Sequence, residues 1–210
     1  MNSSDDNNTP SNICGNPLVI IISGPSGVGK DAILNRLKAR KSEFEFITTV
    51  TTRKQRATEK HNVDYHFISE EEYQGLLKDN ELLESAQVYG NWYGVPKQPI
   101  REALAKGKDT VLKVDVQGAA TIKKILPDAV FIFIAPVSLG ELSTRLNQRG
   151  SETASDLAVR LKTAENEMKQ IYKFDYVVYN RCNEIDAAIE QIMSIVIAEK
   201  CRANPRKIVL

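Results

Sequence analysis

Apolar positions along the chain follow two alternating rhythms. Residues 18–22 are apolar without a break, closed by Ser23 and a glycine-rich turn. Such a run predicts a strand buried on both faces, as in a parallel sheet. Similar runs recur at 111–116, 130–135 and 176–179. Between them the spacing turns helical. Ile33, Leu34 and Leu37 share one face of 32–41. Ala119, Ile122, Ile125 and Leu126 mark 118–126, which Pro127 stops, and Ile185, Ile189, Ile192, Val196 and Ile197 mark 184–200. Ser138 and Glu141 have capping-box spacing for a helix ending near Gly150. Strands alternating with helices predict an α/β fold: a central parallel sheet with right-handed crossovers.

Two stretches break the rhythm. Residues 48–95 are polar, rich in Thr, Arg and Glu, with short strand-like pieces such as 65–68. Ser69 with Glu72 caps a short helix there. This predicts an inserted α+β subdomain. Residues 151–172 are strongly charged and helical, and 138–172 are expected to form a helical lid. The core is then 17–47, 96–137 and 173–200. Residues 1–16, rich in Asn, Ser and Asp, predict a disordered tail, and 201–210 are either a tail or a packing segment.

Composition narrows the function classes. A chain of 210 residues suggests one domain. Its net charge of +1 provides no global field to draw in nucleic acid or membrane, so neither is an expected partner and any anion site must be local. No apolar run reaches the roughly 18 residues of a membrane helix, and the N-terminus lacks a signal-peptide core. Cys14, Cys182 and Cys201 lie far apart without CxxC spacing, which predicts free thiols in a reducing cytoplasm. His61 and His66 have no ligand spacing with any cysteine and are read as non-metal residues.

The strongest motif is Gly24-Pro25-Ser26-Gly27-Val28-Gly29-Lys30, between the first predicted strand and helix. GxxxxGK in that setting is a phosphate loop. Its backbone N–H groups turn inward around phosphate oxygens, and the following helix offers its positive end to the same anion. Lys30 reaches the β- and γ-phosphates of a nucleoside triphosphate. Ser or Thr is expected after the lysine to ligate Mg²⁺, but this chain has Asp31. A carboxylate ~4 Å from one phosphate charge costs on the order of 4 kcal/mol at an effective dielectric near 20. Asp31 therefore needs an offsetting cation, either Mg²⁺ itself or a basic side chain.

Further motifs resemble the guanylate kinase family over nearly all of 18–198. Thr51-Thr52-Arg53, Arg56, Glu59 and Asp64-Tyr65 resemble its TTRxxRxxE…DY signature. Glu84-Ser85-Ala86-Gln87 and Gly90-Asn91-Trp92-Tyr93-Gly94 resemble its ExA and GNxYG segments. Asp115-Val116-Gln117-Gly118 resembles DxQG, and Arg145, Arg149-Gly150 and Arg160-Leu161 resemble its lid pattern. The resemblance implies a P-loop three-layer fold, a GMP-binding insert, a closing lid, and transfer of the γ-phosphoryl group of ATP to GMP with Mg²⁺. It implies Glu84 as guanine reader, helped by Asp115 and Thr49. It implies Arg145, Arg149 and Arg160 over the transferring phosphates and Asn180 on the adenine side. The chemistry of GMP agrees. Arg53 and Arg56 can present forked donors to a dianionic phosphate, and Tyr65 and Tyr93 can add hydroxyls. A carboxylate suits the N1–H and N2–H₂ donors of guanine.

The chain departs from the family pattern in three places. Asp31 follows the loop lysine, Lys113 stands where an acid is common before DxQG, and Val95 replaces a hydroxyl residue after Tyr93-Gly94. The first two predict an Asp31–Lys113 ion pair beside the phosphate site, with direct Mg²⁺ ligation by Asp31 as the alternative. Two other functions fit parts of the pattern: a non-catalytic guanylate-kinase-like interaction module, and a P-loop kinase for another phosphorylated small molecule. Either a monomer or a homodimer suits the reading.

Overall fold

In the computed structural model, which describes residues 15–40, 44–57, 59–88, 90–147 and 154–210, one strand sets the layering. β1 (Val19–Ser23) is buried at every position. Leu18, Ile20 and Ile22 point into one hydrophobic core, Val19 and Ile21 into another, as the period of two requires. The first core is closed by α1 (Lys30–Ala39), α5 (Leu139–Asn147), α6 (Ala154–Met168) and α7 (Ile185–Lys200). The second is closed by α3 (Lys97–Ala105) and α4 (Val116–Ile125). Helices on both faces of a sheet make the three layers.

The central sheet has the order β2-β7-β1-β8-β9, every pairing parallel. Its other strands are β2 (Glu45–Phe46), β7 (Thr110–Lys113), β8 (Val130–Ala135) and β9 (Tyr176–Tyr179). Two of the expected buried runs behave differently. β7 ends at Lys113 because Asp115 caps α4, its carboxylate accepting from the Gly118 N–H at 2.6 Å, so Val116 is already helical. β9 is the edge strand, and of its four residues only Val178 is buried.

A second sheet, β4-β3-β6-β5, occupies the polar stretch. It comprises β3 (Val50–Thr51), β4 (His66–Phe67), β5 (Leu82–Val88) and β6 (Asn91–Pro96), with α2 (Glu70–Lys78) packed beside it. The Ser69–Glu72 capping box is complete, with Ser69 Oγ accepting from the Glu72 N–H and Glu72 accepting from the Ser69 N–H. Tyr73, fully buried, donates its hydroxyl to the Tyr93 carbonyl at 2.9 Å and fastens α2 to β6.

The chain end returns to the core. Ile208 and Leu210 pack against the second core, and Arg206 binds the buried Glu199 with two bonds of 2.8 Å. Asn16 donates to the Arg206 carbonyl at 3.1 Å, so this residue of the expected N-terminal tail is tied down. Residues 1–14 lie outside the described residues.

Candidate active site

The 24–30 segment joins β1 to α1 at the C-terminal edge of the central sheet. It passes so close to β8 that a Cβ at Gly24, where φ is 143°, would lie 2.2 Å from the Ile134 carbonyl oxygen. Lys30 folds back over this loop and donates to the carbonyls of Gly24 at 2.6 Å and Pro25 at 3.0 Å. Burial disfavours its charge and lowers its pKa, an effect that Glu167 and Asp31 oppose. The Ser26 N–H donates to Glu167 Oε2 at 3.4 Å. Glu167 thus reaches the loop from α6 and brings a carboxylate close enough to favour the Lys30 charge. Its burial raises its own pKa. Sequence reasoning missed this residue. Its position seven after Arg160, on the same helical face, was the available signal.

Two expected nucleotide-side residues brace the loop. Asn180, buried, donates Nδ2–H to the Val28 carbonyl at 2.7 Å. Arg145 donates to the same carbonyl at 3.0 Å, to the Asn180 carbonyl at 2.8 Å and to Glu141 at 2.5 Å. Arg160 is half-buried on α6. Arg149 lies outside the described residues. The ion pair expected between Asp31 and Lys113 is present, Nζ to Oδ1 at 2.5 Å.

Facing the loop is a cavity of about 300 Å³. Lys30 and Lys113 line one part of it, and Thr49, Tyr65, Glu84, Tyr93, Val95 and Asp115 the rest. Glu84 is aimed by the alternation of β5. Glu84, Ala86 and Val88 line the cavity at the period of two while Leu83 fills the second core, and the β5–β6 register slips between Leu82 and Glu84. Burial first, and then the nearby Asp115 carboxylate, push the pKa of Glu84 up to about 7. Val95, the departure after Tyr93-Gly94, pairs with Glu84 across the ladder and is buried in the second core.

Gly118 sits beneath both carboxylates. A Cβ there would lie 3.2 Å from Asp115 Oδ1 and 3.4 Å from Glu84 Cδ. Ala is favoured over Gly in a helix by about 1 kcal/mol, so Gly118→Ala should leave thermal stability near wild type. The neighbours that must give way are Asp115 and Val114, whose Cβ would lie 3.3 Å off, and thermal melting checks the balance.

Arg53, Arg56 and Glu59 form a cluster joined to the cavity through Tyr65. Arg53 Nη2–H donates to Glu59 Oε1 at 2.7 Å, and both side chains are about 15% exposed or less. The guanidinium lies 5.5 Å from the Tyr65 ring centroid. Its bond to Glu59, with a further one to Tyr93, holds its pKa above the usual value, and the Glu59 carboxyl is correspondingly lowered. The Arg56 N–H donates to Glu59 Oε2 at 3.0 Å. Glu59 therefore orients the arginine fork.

A sequence profile described as guanylate kinase matches residues 16–199. The chain is 45% identical over 193 residues to guanylate kinase 2, chloroplastic/mitochondrial, of Oryza sativa subsp. japonica, covering 91% of this chain and 68% of that protein. It is 43% identical over 187 residues to the guanylate kinase of Clostridium tetani, covering 89% of this chain and 88% of that one. The solved structure of guanylate kinase from Anaplasma phagocytophilum superposes with a TM-score of 0.70 at 30% identity, over 90% of this chain and 89% of that one.

Proposed function

The chain belongs to the guanylate kinase family, and from that premise we infer how its residues transfer the γ-phosphoryl group of ATP to GMP, giving ADP and GDP. The observation that carries the reading is the pair of facing sites: a phosphate loop with an inward lysine, and opposite it a cavity holding a half-buried carboxylate.

ATP binds with its phosphates in the 24–30 loop. A phosphate oxygen takes the Ser26 N–H from Glu167, and Lys30 leaves the two carbonyls for the β- and γ-phosphates. Arg145 and Asn180 keep the loop in shape from behind and border the adenine side, and Arg149 and Arg160 close with the lid. GMP enters the cavity with guanine on Glu84, assisted by Asp115 and Thr49. Its phosphate meets Arg53, Arg56, Tyr65 and Tyr93, with Glu59 fixing Arg53. Transfer then needs positioning and charge neutralisation more than covalent chemistry. We assign 48–95 to the GMP-binding subdomain and 138–172 to the lid, whose closure excludes water.

The site fits Mg²⁺ through one donor. A magnesium ion arriving with ATP keeps phosphate oxygens and waters and takes one or two carboxylates. The Asp31 side chain, 67% exposed beside the loop, is a hard oxygen donor of that type. When bound, the metal supplies charge neutralisation at the phosphate oxygens. Both substrate sites come from a single chain, so a monomer or a homodimer serves equally. Among the described residues no helix is long and apolar enough to cross a membrane. The free thiols Cys182 and Cys201 suit a reducing compartment such as the cytoplasm.

Glu84 makes guanine recognition depend on pH. Only its ionised form accepts the two guanine donors, and with a pKa raised to about 7 it is largely ionised above that value and protonated below it. The KM for GMP should be flat above about pH 8 and rise by about tenfold for each pH unit below 7. The GMP phosphate, with a second pKa near 6, titrates in the same window. The Glu84→Gln variant separates the two, with a higher KM and a shallower pH dependence. Rates with GMP, AMP and dGMP and with no acceptor test the assignment itself: GMP should lead AMP by at least about a hundredfold. Equal rates with AMP would contradict a guanine-reading cavity.

A further inference from the structure

We propose that Lys113 is a substrate-binding cation that exchanges Asp31 for the phosphate of GMP, coupling the two substrate sites through one ammonium group. The proposal rests on the assignment of the cavity to GMP.

Lys113 ends β7, in register with Ile22 of β1 one residue before Ser23 and the phosphate loop. Its side chain lines the GMP cavity together with Lys30, Tyr65 and Tyr93. It also lines a smaller adjoining cavity of about 120 Å³ together with Asp31 and Tyr65. Lys113 is near enough to Lys30 for its charge to oppose that ammonium. The group therefore stands at the boundary between donor and acceptor sites, on the floor both share.

Its present bond is suited to exchange. The Lys113 side chain is 34% exposed and that of Asp31 67%, so water already competes for the pair. Exposed pairs of this kind contribute little to stability. The phosphate of GMP carries up to twice the charge of Asp31 and has three acceptor oxygens for an ammonium with three donors. Once Lys113 turns to that phosphate, the Asp31 carboxylate is released toward the loop, where the metal accompanying ATP needs an oxygen ligand. Before substrates arrive, the pair neutralises an acid that would otherwise repel the triphosphate. An acid after the loop lysine and a lysine ahead of Asp115 thus form one device with two settings.

The rival account is that the pair only cancels charge. A double-mutant cycle separates the two. GMP is titrated calorimetrically into metal-free, ATP-free enzyme as wild type, Lys113→Met, Asp31→Ser and the double variant, with folding checked by circular dichroism and thermal melting. Loss of one charge-assisted bond should weaken GMP binding by about tenfold in Lys113→Met, and the double variant should stay about tenfold weak. Asp31→Ser, which removes the competitor, should bind GMP at least as tightly as wild type. A double variant that regains wild-type affinity overturns the role of Lys113 alone. Wild-type enzyme that fails to bind GMP overturns the cavity assignment and the role of Lys113 with it.

Discussion

Lys30→Met is expected to lower kcat by roughly two to three orders of magnitude while GMP binding and folding persist, the usual cost of losing one preorganised charge at a transition state. The side chain is half-buried, which strengthens the charge interactions it makes. Its hydrogen-bond partners in the ATP-free protein are the loop carbonyls of Gly24 and Pro25. Those bonds hold the ammonium over the loop, with the Glu167 and Asp31 carboxylates favouring its charge from nearby, and an arriving phosphate offers it a closer anion. Removing the cation leaves two loop carbonyls to be hydrated, a small structural loss. Steady-state kinetics should show a collapsed kcat with a KM for GMP within a few-fold of wild type, and a melting temperature within a few degrees.

Arg206→Ala is expected to destabilise the fold by about 3 kcal/mol, because it leaves a buried carboxylate with only the Tyr176 hydroxyl and the more distant Arg202, at 3.5 Å. Glu199 is fully buried in its side chain and lies between Arg206, at 2.8 Å from both its oxygens, and the Tyr176 hydroxyl, which donates at 2.6 Å. Arg206 also donates to the Ala129 carbonyl at 3.0 Å and so pins 201–210 beneath β8. A loss of that size should lower the melting temperature by roughly 10 °C in a domain this large. Arg206→Lys should recover only part of it, since an ammonium cannot hold both carboxylate oxygens in a planar fork. The pairing also predicts a pH dependence. The Arg206 bond, aided by Tyr176, depresses the Glu199 pKa from 4.5 to about 2. A depressed carboxylate stabilises the fold fully above its unfolded value and loses that contribution as pH falls through its folded value. Melting temperature should therefore drop as pH is lowered from about 4.5 toward 2, and this part of the drop should be smaller in Arg206→Ala, where only Tyr176 and Arg202 still favour the Glu199 carboxylate.

Local pattern carried the features that are local. The apolar runs of β1 and β8 are continuous because both faces are covered, and the phosphate loop is legible because its glycines and lysine are consecutive. The Asp31–Lys113 pair was legible because each residue is the wrong type at a position where the other restores charge. Features that depend on distant chain segments were not. β2 and β3 have two residues each and exist only through their partners, whereas β4 falls inside the strand-like piece 65–68. The irregularity between Leu82 and Glu84 is a property of the β5–β6 register. Glu167 meets Ser26 from 141 residues away, and Arg206 reaches Ala129 from 77. Helical spacing marks the face that Glu167 shares with Arg160, but not the loop it meets. Asp115 looked like a base-reading acid alone, yet it also caps α4, because the helix begins one residue after it.

We propose that two opposed cradles within one chain hold a triphosphate on the 24–30 loop and a purine monophosphate against Glu84. The most direct test is a crystal structure with GMP and a non-hydrolysable ATP analogue bound together. The guanine N1 and N2 should lie within hydrogen-bonding distance of Glu84, the GMP phosphate at Arg53, Arg56, Tyr65 and Tyr93, and the γ-phosphate on Lys30. A monophosphate bound away from Glu84 and the arginine pair, or a triphosphate that leaves Lys30 on the Gly24 and Pro25 carbonyls, would contradict it.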